Sequence, residues 1–222
     1  MSVPCLVATF PAHSGWDRHA FLDVNHFARE TSSLHGLMEW FAKDGVLLLA
    51  LALLAAWWIG RGARSPHKVA TAVWGAIGAL VALALAQPIS NAVDEHRPFV
   101  AMPNALLLIS HSTDAGFPSD HATVAGAVAC AVFIVSWQLG ALTALVALVI
   151  AFARVYVGVH YPQDVLAGLA LGAAVVGVGY FTVVPVMTRV AERLAETPLR
   201  PLITAHHTAD HPSKAPLPGG PA

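Results

Sequence analysis

The sequence predicts an all-α, polytopic membrane helical bundle of about five transmembrane helices, preceded by an amphipathic interfacial helix. Three observations predict it. The 222 residues are 56% apolar and only 11% charged, where soluble domains carry roughly a quarter charged residues, and the mean hydropathy is +0.64. That leaves too little polar surface to cover a water-soluble globule. The apolar residues also gather into five segments, each near the roughly 20 residues that cross a bilayer core. Finally, acidic and basic side chains avoid the middles of those segments, as the cost of charge in hydrocarbon requires.

The first segment, Gly45–Gly60, is short. The preceding LMEWFAK extends it toward the interface, and Trp57 and Trp58 mark its far boundary. Val69–Ile89, Ala122–Trp137, Leu139–Val157 and Val165–Val186 follow, so residues 44–190 are expected to form the transmembrane domain. Within residues 1–43, HAFLDVNHFARETSSLHGLMEWFA mixes apolar and charged residues at helical spacing. That pattern predicts a helix lying on the membrane surface. The opening residues have no basic region ahead of an apolar core, so no cleaved signal peptide is expected. From Thr197 the chain is rich in Pro, His and Ala, and residues 191–222 are expected to form a disordered cytoplasmic tail. His206, His207 and His211 have no Cys or carboxylate set beside them and read as part of that polar tail, not as a metal site.

Several function classes drop out. With 12 Lys+Arg against 13 Asp+Glu, nothing recommends a nucleic-acid partner. Cys5 and Cys130 lie far apart, the second inside an apolar run, so no disulfide is expected. The glycines of GLALGAAVVGVG suit close helix packing, either in the chain's own bundle or in a homodimer. Orientation follows from basic residues in short loops. Arg61, Arg64 and Lys68 share one side with Arg189, Arg193 and Arg200 if there are five spans. That side is expected to be cytoplasmic. Arg18, Arg29 and Lys43 on the other side run against the trend.

The remaining ionisable residues collect on the side opposite the two basic regions, in DEHRPF (94–99), HSTDAGFPSDHAT (111–123) and FARVYVGVHYPQDVLAG (152–168). Pro162 suits the first position of a helix, which puts His160 just outside it and Asp164 in its first turn. There Asp164 can accept a proton from one imidazole nitrogen, leaving the other free as nucleophile or base. Read alone, the pair also fits a helix cap with Arg154 reaching for headgroups. Pro118-Ser119 opens another helix, whose N-terminus attracts anions, with His121 in its first turn. Arg97 adds a second planar, permanently charged fork that matches phosphate oxygens. Together these residues describe a phosphoryl-transfer centre.

The arrangement resembles the membrane branch of the type 2 phosphatidic acid phosphatase superfamily. Its signature is Lys, six residues, Arg-Pro; then Pro-Ser-Gly-His; then Ser-Arg, five residues, His, three residues, Asp. The matches here are Arg97-Pro98, Pro118-Ser119-Asp120-His121, and Arg154, His160 and Asp164. The resemblance implies that His160 attacks phosphorus, Asp164 orients it and His121 protonates the leaving oxygen. It implies that Arg97, Arg154, Ser119 and Asp120 with its neighbouring amides hold the phosphoryl oxygens, with no metal and no cofactor. The implied partners are membrane lipids and a polyprenyl or phospholipid phosphate substrate. The Pro-Ser-Asp-His variant is similar to the bacitracin-resistance type of undecaprenyl-diphosphatase, which implies cleavage of undecaprenyl diphosphate at the cell membrane, on the extracytoplasmic side. Phosphatidic acid or phosphatidylglycerol phosphate is the alternative substrate, and a catalytically impaired lipid-binding or transport protein the alternative class. Two departures stand out. Ser90 occupies the lysine position, with His96 and His111 as candidate replacements, and Ala153 replaces the serine before Arg154.

Overall fold

Ten α-helices and one short 3-10 turn account for the regular structure among the described residues, 15–110 and 114–205, of the computed structural model. They are α1 (Gly15–Glu30), the turn Ser32–Leu34, α2 (His35–Asp44), α3 (Val46–Gly62), α4 (Pro66–Val93) and α5 (Pro98–Ala101). α6 (Asp120–Val135), α7 (Trp137–Tyr156), α8 (Pro162–Thr182), α9 (Val184–Leu194) and α10 (Arg200–Ile203) follow. No strand occurs among the described residues. The fold is the all-α bundle expected from the hydropathy pattern. α4, α7 and α8 are each long and apolar enough to cross a membrane, and α2 with α3 forms a bent pair that would make a fourth span. α6 is apolar but only 16 residues long.

Helix ends follow local chemistry. Ser65 Oγ accepts from the Lys68 amide (3.3 Å) to open α4, with Pro66 at the first helical position. Asp94, in the left-handed region at φ 46°, closes it. The expected single interfacial helix is two helices. The break falls at Thr31, whose hydroxyl donates to the Phe27 carbonyl (2.7 Å) while Tyr156 Oη donates to the Thr31 carbonyl (2.9 Å). Nor does LMEWFAK continue straight into α3: the chain bends by 55° at Gly45. A Cβ at Gly45 would lie 2.8 Å from Ile150 Cγ1, so the bend brings a bare backbone against α7.

α6 sits at the centre, packed against α3, α4, α7 and α8. Its contact with α8 is the tightest. A Cβ on Gly126 would fall 2.1 Å from the Leu169 carbonyl oxygen, and one on Gly172 would fall 2.0 Å from that of Thr123. The α8 glycines at 168 and 172 therefore serve the chain's own bundle, letting two backbones touch as small residues do in membranes. Gly172→Val is expected to force α6 and α8 apart and to cost about 1–3 kcal/mol or more, the usual penalty of overpacking. A lowered melting temperature in detergent, with correspondingly reduced activity, checks this.

The two basic regions meet at one end of the bundle. The Ala205 amide donates to the Arg61 carbonyl (3.2 Å), and Val69, Ala191 and Ile203 form one apolar cluster. The Arg61 guanidinium lies over the Trp57 and Trp58 rings, at 5.0 and 4.9 Å. α9 runs through position 191, and α10 buries Ile203, so residues 191–205 pack as helix and turn where a disordered tail was expected. The chain gathers enough apolar side chains there to dock. His206, His207, His211 and the rest of the tail lie outside the described residues, as do residues 1–14. The motif residues occupy the opposite end of α4, roughly 42 Å away at 1.5 Å per residue.

Candidate active site

Four chain segments deliver the motif residues to one place. α7 ends with Arg154, a turn through Gly158 follows at φ +90°, and His160 precedes α8. Gly158 is required there by its left-handed φ. A side chain at this position would also strike the Leu106 carbonyl, which a Cβ would approach to 2.3 Å. Asp164 lies in the first turn of α8, and its Oδ2 accepts from the Tyr161 amide (2.9 Å). This anchors the carboxylate beside the imidazole, with His160 Nδ1 3.2 Å from the same oxygen. The Ser119 amide donates to the Asp164 carbonyl (3.1 Å), tying the start of α6 to the start of α8.

The other imidazole nitrogen faces two guanidiniums. His160 Nε2 is 3.1 Å from Arg97 Nη1 and 3.3 Å from Arg154 Nη2. Arginine only donates, so Nε2 must accept and therefore carries a lone pair. The proton then resides on Nδ1, where the Asp164 carboxylate receives it. Both arginines are held from behind. Arg97 donates through Nε to the Asp114 carbonyl (3.1 Å) and Oδ1 (3.2 Å), through Nη1 to the Val159 carbonyl (3.3 Å) and through Nη2 to the Ala115 carbonyl (3.3 Å). Arg154 Nη1 donates to the Ala42 carbonyl (2.9 Å). Arg97, Arg154, His160 and Asp164 are all buried, at 5, 3, 2 and 0% exposure. Such burial is costly for unpaired charge; each of these side chains has at least one partner, while Asp164 Oδ1 has no hydrogen-bond partner among the described residues.

These residues wall a cavity of about 210 Å³. Arg97, Arg154, His160, His121 and Asp120 line it together, so five of the seven sequence-derived site residues face one space. Asp164 stands behind His160. Ser119 is a departure: it is fully buried, is not among the lining residues, and its Oγ has no hydrogen-bond partner among the described residues. Its part in the wall falls to the start of α6, whose first amides lack intrahelical acceptors. Tyr161, at the foot of α8, has its phenol pushed up to about 12, chiefly by burial, so it stays protonated near neutrality. Among the described residues, the two imidazoles on the wall are His121 and His160.

The departures from the motif also find places. Ala153 is buried in an apolar cluster with Ala28, Met38 and Ala42, so position 153 is occupied in packing and does not line the cavity. Ser90 does line it, whereas His96 is exposed and stands outside, and His111 lies outside the described residues. Sequence reasoning missed Gln87 and Asn91, which line the cavity from α4 beside Ser90. The available signal was their spacing. Four residues apart, they share one helix face at the end of a run from Val69 to Ala86 in which Thr71 is the sole hydroxyl and no charge occurs.

Comparison with known proteins places this geometry. The PAP2 superfamily profile matches residues 70–187. The chain is 32% identical over 161 residues to "Undecaprenyl-diphosphatase BcrC" of Bacillus subtilis (strain 168), spanning 72% of this chain and 80% of that protein. It is likewise 32% identical over 153 residues to "Bacitracin transport permease protein BcrC" of Bacillus licheniformis, spanning 69% and 73%. Among solved structures, that of Aquifex aeolicus LpxE matches with a TM-score of 0.62 at 20% identity, covering 78% of this chain and 98% of that one. At that identity the likeness speaks for the fold. The profile spans more than half of the chain and includes all three motifs: the chain belongs to the PAP2 superfamily.

Proposed function

We propose that this chain is a membrane lipid phosphatase that hydrolyses the terminal phosphate of a polyprenyl diphosphate, converting undecaprenyl diphosphate to undecaprenyl phosphate. The observation that carries the reading is the imidazole held between a carboxylate on Nδ1 and two guanidiniums on Nε2. A phosphoryl group entering the cavity replaces the lone-pair contact of Nε2 with the arginines and takes their donors for its own oxygens. His160 Nε2 then forms a bond to the terminal phosphorus while the bond from phosphorus to the bridging oxygen breaks. His121 supplies a proton to the departing lipid phosphate. Water next attacks the phosphoimidazole with His121 as base, releasing inorganic phosphate and restoring His160. Arg97 and Arg154 stabilise charge as it shifts among the phosphoryl oxygens, the electrostatic role usually dominant in such transfers.

The substrate assignment rests on the bacillary relative whose name states that activity. The cytoplasmic placement of the basic end, from the positive-inside rule, puts the cavity on the extracytoplasmic side. In this reading the guanidiniums act as charge stabilisers and no metal takes part. The test is phosphate release in detergent from three lipids in parallel: undecaprenyl diphosphate, phosphatidic acid and phosphatidylglycerol phosphate. The prenyl diphosphate is expected to turn over fastest, and excess EDTA is expected to leave its rate unchanged. Fastest release from phosphatidic acid would overturn the substrate. Loss of activity in EDTA, restored by a divalent cation, would overturn the metal-free mechanism. The relative named as a transport permease motivates the other class, which predicts lipid phosphate binding with no release.

A further inference from the structure

The cavity has two walls of different chemistry. One carries the imidazoles and guanidiniums, with the carboxylates of Asp114 and Asp120 beside them. The other is the last two turns of α4, where Gln87, Ser90 and Asn91 face the same space. A single phosphoryl group is satisfied by the first wall, since Arg97 and Arg154 reach His160 Nε2 and the start of α6 lines the same cavity. A diphosphate brings a second phosphate, joined through the bridging oxygen and charged at neutral pH. That group also needs donors once it leaves water.

The structure points to a second phosphate subsite formed by the carboxamides of Gln87 and Asn91 with the Ser90 hydroxyl, which holds the leaving phosphate of a diphosphate. The inference deepens the reaction proposed above and rests on it for the direction of attack. Each carboxamide offers two N–H donors and the serine one. The two amides lie one turn apart on a single helix face, so both can address one phosphate. Gln87 and Asn91 are exposed and Ser90 is half-buried, leaving the donors accessible from the cavity. Neutral donors suit this position. They bind the oxyanion without cancelling its charge, and His121, on the same cavity, remains the proton source. A lysine at position 90 would attract any phosphate by charge alone. The amide pair instead recognises a second phosphate by position, so it favours diphosphates over monophosphates.

The experiment measures binding of inorganic diphosphate and inorganic phosphate to purified His160→Ala protein in detergent, where turnover cannot intervene. Diphosphate is expected to bind more tightly than phosphate. Gln87→Ala with Asn91→Ala is expected to weaken diphosphate roughly 10–100-fold, equivalent to one or two hydrogen bonds to a charged group, while phosphate changes by less than about threefold. The isosteric Asn91→Asp, which keeps the shape and replaces donors with acceptors, should weaken diphosphate further. Ser90→Lys should strengthen both ligands and narrow their ratio. Equal losses for the two ligands, or an unchanged preference in the amide variants, would overturn the subsite. If the diphosphate preference behaves as expected while the wild-type chain releases no phosphate from prenyl diphosphate, the subsite stands and the proposed reaction fails.

Discussion

His160→Ala is expected to reduce phosphate release on the order of ten-thousand-fold or more, the scale seen when a nucleophile is removed from a site whose other parts remain. The surroundings make the loss chemical and not structural. Arg97 keeps its bonds to Asp114, Ala115 and Val159, and Arg154 keeps its bond to Ala42, without the imidazole. The α6–α8 contact through Gly126 and Gly172 does not involve it. A melting temperature close to wild type should therefore accompany the loss. Residual turnover within about tenfold of wild type would mean that another group, or water directly, attacks phosphorus.

Asp164→Asn is expected to lower kcat by about three to four orders of magnitude, the scale recorded when the carboxylate behind a catalytic histidine becomes an amide. Two roles meet in Oδ2, which accepts both from the Tyr161 amide and from His160 Nδ1. An asparagine oxygen can preserve the helix cap, so stability should change little. It cannot preserve the negative charge that supports a positively charged imidazole ring as the bond to phosphorus forms. KM should change far less than kcat, because the two guanidiniums proposed to bind the phosphoryl group are untouched. Asp164→Ala removes the cap as well and should cost about 1 kcal/mol of stability besides. A purely structural Asp164 would leave the Asn variant with wild-type activity once stability is matched, and no split between kcat and KM.

Much of this architecture is legible in the sequence because the relevant physics is local. Pro162 and Asp164 specify a helix start, His160 stands one turn from its carboxylate, and long apolar runs with charge confined to their ends specify spanning helices. The unread parts depend on contacts distant along the chain. Asn25 exchanges two hydrogen bonds with the main chain of Leu106 (2.9 and 3.0 Å), and Asp17 Oδ1 accepts from the Gln163 amide at 2.9 Å. These pin α1 to the segment between α5 and α6 and to the start of α8, yet in sequence they are ordinary polar residues of an amphipathic helix. The break at Thr31 depends on Tyr156, 125 residues away. The burial of Ser119 follows from the depth at which α8 meets α6, set by glycines whose facing partners periodicity does not name. Gln87 and Asn91 read as a polar helix end until the cavity gives them a common direction.

The central claim is that a phosphoryl group passes through His160 Nε2. It is tested most directly by incubating the protein with undecaprenyl diphosphate carrying ³²P in the terminal phosphate, quenching rapidly in alkali and mapping the labelled peptide. The account predicts label on His160 that survives base and is lost in acid, and that is absent from the His160→Ala protein. Full turnover with no label on the protein, or label on a residue other than His160, would contradict it.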